Sequence, residues 1–183
     1  MSHDVPPPPH APAPPPNTGG PSGNSFDPAS VNRLDWAILG IGFIVFIFSF
    51  FGYYSWEFKA AGMTLGSVNW SAWHFEHGLF IAWFAMVITV LGAVVLAVSL
   101  FAPAVTLPAP ARVLSFLAFA VGFVLYLIAI FAHSDFGPDG GHAFSFWISL
   151  ILAGAGAVVA LMRAQQTNTA LPGQLNSLPR IGK

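Results

Sequence analysis

The chain is 183 residues long, 55% hydrophobic and 15% aromatic, with only 7% charged residues and a net charge of -1. Soluble domains carry about 25% charged residues, and a soluble fold of this size could not keep so much apolar surface from water. The six Lys and Arg are scattered, which argues against a nucleic-acid interface, and the lack of cysteine excludes disulfides, Cys-ligated zinc, iron–sulfur clusters and thiol chemistry.

Residues 1–33 contain Pro6 to Pro9, Pro14 to Pro16, Pro21 and Pro28 among Gly and Ser, with few large apolar side chains. Such a segment buries too little surface to offset its ordering entropy, so it is expected to be a disordered tether of polyproline II character. No basic region precedes an early apolar run, so it does not read as a signal peptide. The spacings Pro9-x-x-Pro12 and Pro12-x-x-Pro15 fit a docking motif, but no basic residue flanks them to set a direction, and a solvated linker explains them as well.

Four stretches then follow with no charged residue, at 37–55, 78–111, 113–132 and 143–162. The hydrocarbon core of a bilayer is about 30 Å thick and needs about 20 helical residues to cross, so each stretch is long enough to span it. The spans are placed at about 35–54, 73–101, 112–132 and 143–162, forming one domain over 34–163 that is followed by a polar tail over 164–183. The fold class predicted is all-α, a four-helix transmembrane bundle with disordered tails.

The first span carries Asp35 at its boundary and ends in the aromatic residues Tyr53, Tyr54 and Trp56, which suit the headgroup level. From Glu57 to about Trp70 the run of Gly62, Gly66, Ser67 and Asn69 reads as an exposed loop, part of it resting on the membrane. Pro103, Pro108 and Pro110 end the second span, and the sequence Pro138-Asp139-Gly140-Gly141 turns the chain from the third to the fourth. With four spans the termini share a side. That side holds Arg33, Arg112, Arg163, Arg180 and Lys183 against Lys59 alone opposite, so both termini are expected in the cytoplasm of a cell-membrane protein.

Within the spans, Gly40 and Gly42, Ala118 and Gly122, and the run Ala153 to Ala157 supply small residues for close helix packing, with a homo-oligomer interface as the less favoured use. Phe43, Phe46, Phe48, Phe50 and Phe51 are expected to face lipid. No acidic or basic residue lies at mid-depth, which argues against ion pumps and charge-coupled transport. Ser49, Ser99, Ser115, Ser145 and Ser149 have no His or Lys beside them at mid-depth. They are expected to bond helical carbonyls or neighbouring helices rather than to act as nucleophiles.

The concentrated chemistry lies at the external span ends. His74 and His77 sit three apart, so they share a helix face, and packing could bring them toward His133 and His142 beside Glu57, Glu76, Asp135 and Asp139. Imidazoles and carboxylates ligate zinc, copper or iron, and a pair of helix-borne imidazoles can hold haem, although only Lys59 is at hand for its propionates. The plainer reading is that amphipathic histidines gather at the interface because spans have equal length, and no metal or cofactor is assigned.

The segments Phe50-Phe51-Gly52-Tyr53-Tyr54 and Asn69-Trp70-Ser71-Ala72-Trp73, with the Pro/Gly-rich tail and short later loops, resemble small four-span actinobacterial membrane proteins of the 34 kDa antigenic protein type. The resemblance implies a multi-span envelope protein with no established catalytic residues. The function expected is a non-enzymatic scaffold or accessory subunit of a membrane assembly, with the bilayer, membrane proteins or a second copy as partners. A metal- or haem-binding redox subunit and passage of a neutral or lipidic substrate are the alternatives.

Overall fold

The structure, a computed structural model, describes residues 28–74, 80–132, 140–167 and 169. The Pro-rich tail before Pro28, most of the polar tail after Thr167, and the first two turn residues Pro138 and Asp139 lie outside the described residues. Four α-helices, α1 (Arg33–Phe48), α2 (Phe80–Phe101), α3 (Ala111–Phe131) and α4 (Phe144–Gln166), carry a small sheet of β1 (Tyr54–Ala60), β2 (Met63–Trp70) and β3 (Gly140–His142).

The helices start and stop for local reasons. Asn32 caps α1, its side-chain oxygen accepting from the Leu34 amide at 2.9 Å, and the carboxylate of Asp35 follows in the first turn at the positive end of the helix. Pro110, which could not sit inside a helix, opens α3 by accepting from the amides of Val113 and Leu114 at 2.9 and 3.1 Å. At the far end of α4 the Thr167 hydroxyl donates to the carbonyls of Arg163 and Ala164, both at 3.1 Å, which satisfies two of the last carbonyls.

The helix boundaries differ from the predicted spans. The helix from the first span stops at Phe48 rather than Tyr54. Its next residues are drawn into the sheet by Ala72 N–H to Ser49 O at 3.0 Å and Tyr53 N–H to Trp70 O at 2.7 Å. The described part of the second begins at Phe80, residues 75–79 lying outside the described residues, and the helix of the fourth runs on to Gln166. Among the described residues, three helices, α2, α3 and α4, are long and apolar enough to cross a membrane. At about 1.5 Å per residue the 16 residues of α1 rise only about 24 Å, so a clean bundle of four full-length spans is not what is found.

The loop expected over 57–70 is also corrected, because β1 and β2 form an antiparallel hairpin and β3 joins the other edge of β1, giving the order β2-β1-β3. The two-residue turn Ala61-Gly62 has positive φ at both positions, +52° and +80°, the geometry that matches the twist of paired strands. Gly62 accepts it freely and Ala61 does so against its Cβ. Strand β3 ties the two connectors together, reinforced by Ala143 N–H to Tyr53 O at 2.9 Å.

The helices form a ring in which α1 and α3 each pack between α2 and α4. The apolar pattern is turned outward. Phe43, Ile47, Leu91, Val94, Val124, Ile128, Ile151 and Val158 are exposed on the helix surfaces, while Asp35, Ser49, Thr89, Ser115, Ser145 and Ser149 are buried between helices. Small residues set the crossings, since a Cβ on Gly42 would strike Ala93, one on Gly122 would strike the Thr89 hydroxyl, and one on Gly156 would enter the Phe119 ring. Gly40, with nothing within 4 Å, takes no part in such a contact.

Candidate functional site

Two polar clusters occupy opposite ends of the bundle. At the end where α1 and α3 begin and α4 finishes, Asp35 is 1% exposed and receives both Nε and Nη2 of Arg163, at 2.9 and 3.0 Å. Arg112 Nη2 adds a third bond at 3.3 Å. A carboxylate so far from water is tolerated only when paired and fully hydrogen-bonded, and the fork of a guanidinium provides that geometry. The cluster joins three helices and leaves one net positive charge, with Arg112 partly open to solvent. In the sequence Asp35 stands at a span boundary, and Arg112 and Arg163 count only as cations at span ends. An up-and-down path through four helices returns all three residues to one end, which is the signal that could have paired them.

At the other end, the phenols of Tyr53 and Tyr126 share a hydrogen bond of 2.7 Å, with the Ser149 hydroxyl beside both. Tyr53, Tyr54 and Tyr126 are fully buried. Burial pushes the Tyr53 phenol up to about 12, although the neighbouring Ser149 hydroxyl and the hydrogen bond to Tyr126 pull the other way. Burial likewise holds the Tyr54 phenol well above its ordinary value. Both are therefore neutral hydrogen-bonding groups across the physiological range. Phe146 closes the group edge-on, 6.0 Å from Tyr53 and 5.5 Å from Tyr126 between ring centres.

The histidines are distributed around this aromatic group. His142 lies 3.8 Å from Phe146 and 5.8 Å from Tyr54 between ring centres, and His74 stacks on Trp70 at 6.3 Å with its Nδ1 3.5 Å from the Ser71 hydroxyl. Trp70, on which His74 stacks, and His142 flank Tyr54 as its cross-strand partners, so two strand spacings, about 10 Å, divide the backbones of Trp70 and His142. His77 and His133, with Glu76, Asp135 and Asp139, lie outside the described residues. Among the described residues, no group of three or more His, Cys, Asp or Glu side chains is placed to hold a metal ion. Glu57 pairs with Lys59 on the hairpin at 3.2 Å.

Around the same end runs a girdle of large rings. Trp73 donates through Nε1 to Ser49 Oγ at 3.0 Å, stacks on Phe50 at 5.8 Å and meets Trp83 at 6.5 Å. A cleft of about 500 Å³ opens where α1 ends and α4 begins, lined by Phe48, Phe51 and Phe144 with Asn69 and Ser145.

The chain matches no protein-family model and no curated protein.

Proposed function

We propose that the chain is a non-enzymatic multi-pass membrane protein of the cell membrane that serves as a scaffold or accessory subunit of a membrane assembly. The observation that carries this reading is the turned-out polarity of the bundle: each described helix presents large apolar side chains outward, while inside it Asp35 pairs with Arg163, Tyr53 with Tyr126, and Thr89 with the Ala85 carbonyl. Such groups are arranged to hold a frame. The sheet at one end then offers that frame a rigid head, in keeping with the envelope role that the resemblance to four-span actinobacterial proteins implies.

In this reading α1 is a fourth span despite its length. It accompanies α4 at both ends, with Asp35 bound to Arg163 at one and Phe48 6.4 Å from Phe144 at the other, and its outer face carries Phe43, Ile44, Phe46 and Ile47. Both termini lie in the cytoplasm together with Arg112 and Arg163, and the sheet and the girdle of Trp and Tyr lie outside, following the bias of cations. Affinity purification in several mild detergents tests the assembly role. A fixed set of membrane proteins recovered in each is expected, and recovery of the chain alone in all of them would overturn it.

A further inference from the structure

The hairpin contains a device that its sequence pattern does not advertise. In β2 the apolar residues Met63 and Leu65 are out of phase with Val68 and Trp70, so a regular strand would place the two pairs on opposite faces. The register shifts between Phe58 and Lys59: Phe58 faces Gly66 and Lys59 faces Thr64, leaving Leu65 as the extra residue of a β-bulge. Because Met63 then pairs with Ala60, it joins the face of Tyr54, Trp56 and Phe58. The bulge thus gathers Phe58, Met63, Leu65 and Val68 on one side and leaves Ser55, Glu57, Lys59, Thr64, Ser67 and Asn69 on the other.

The base of that apolar face is already occupied. Tyr54 is buried in the core of the helix bundle, and Trp56 and Trp70 pack against it. Beyond the bundle the same face continues uncovered among the described residues, with Phe58 52%, Met63 65%, Leu65 70% and Val68 40% exposed. Trp70 leads within three residues to Trp73, whose ring stacks on the exposed Phe50 just past α1, which in turn meets Phe46 on the outer face of α1 edge-on at 5.1 Å. The hairpin face and the outer surface of the bundle therefore meet through the aromatic girdle.

We propose that the apolar face of the β1–β2 hairpin dips into the leaflet of the same bilayer that the bundle spans, with its polar face toward water. This rests on the membrane-spanning reading above. The four exposed side chains bring no charge and no side-chain hydrogen-bonding group, so they suit hydrocarbon, which asks for no directional partner. Specific protein interfaces carry about one hydrogen bond per 100–200 Å². The only charges of the hairpin, Glu57 and Lys59, lie together on the opposite face and neutralise each other. An amphipathic element with its apolar side in the headgroup and acyl boundary is the form taken by interfacial segments generally.

Because the chain has no cysteine, single-cysteine spin labels need no altered background. The test places labels at Phe58→Cys, Leu65→Cys and Ser67→Cys, with Leu91→Cys on α2 as a membrane reference, in vesicles of phosphatidylcholine and phosphatidylglycerol. Collision with oxygen, which concentrates in lipid, is compared with collision with a water-soluble nickel chelate. Labels at positions 58 and 65 are expected to meet oxygen severalfold more than the chelate, as position 91 does, with position 67 showing the reverse. Equal chelate access at 65 and 67, with position 91 protected, would overturn the hairpin proposal and leave the membrane reading intact. Chelate access at 91 as well would overturn both. Protection at 58 and 65 that disappears on dilution with lipid would assign the face to a second copy and overturn the proposal.

Discussion

Asp35 and Arg163 are the residues on which the folded state depends most directly. Removing one member of a buried, hydrogen-bonded ion pair strands the other, at a cost of roughly 3–5 kcal/mol. Arg163→Ala is expected to lower stability in detergent by about that amount. Arg112→Ala, which gives up a single bond at 3.3 Å from a partly exposed side chain, is expected to cost less. Thermal unfolding of the two variants side by side checks the order, and Asp35→Asn/Arg163→Met should recover part of the single-variant loss. Tyr53 gives a second residue-scale test. Its phenol holds its proton more tightly in the folded chain, about 12 against an ordinary value near 10, so the stability it contributes is complete below about pH 10 and is lost as pH rises through 12. In Tyr53→Phe the alkaline loss, followed by tyrosinate absorbance during unfolding, should become shallower, while stability at neutral pH falls by about 1 kcal/mol for the missing hydrogen bond.

At the scale of elements, the hairpin and the helix crossings carry separate expectations. Ala61 occupies a left-handed conformation that costs a Cβ-bearing residue roughly 1–2 kcal/mol, so Ala61→Gly should slow hydrogen exchange of the β1 and β2 amides. Gly156→Val would drive side-chain atoms into the Phe119 ring and should destabilise the bundle by about 1–3 kcal/mol, whereas Gly40→Ala, in open space, should change little. The packing roles of Gly122 and Gly156 were legible as small residues at helical spacing, and Gly42 was legible only as one of two small residues in the first span. The hairpin was not, because Gly62 and Gly66 resemble loop punctuation and the bulge at Leu65 breaks the alternation by which a strand is recognised. The short β3 was hidden for a different reason: Gly140-Gly141-His142 becomes a strand only because β1 offers it an edge.

For the whole molecule, composition and the charge-free stretches were enough to assign a helical bundle with apolar outer faces. They overstated α1, whose hydropathy continues unbroken through Phe50 and Phe51 although its helix ends at Phe48 to feed the sheet. The ionic cluster and the buried phenols were only partly visible, since pairing depends on which helix ends meet. His142 entered the sheet beside Tyr54, while His74 lies past the end of β2 against Trp70, a placement that strand pairing decides. The central claim is that α1 crosses the membrane with the other three helices and puts the sheet outside. Labelling single cysteines in intact cells with a membrane-impermeant maleimide tests it most directly. Ser67→Cys on the hairpin is expected to react at once, and Ser30→Cys before α1 and Thr106→Cys between α2 and α3 only after permeabilisation. Reaction of Ser30→Cys together with Ser67→Cys in intact cells would contradict it.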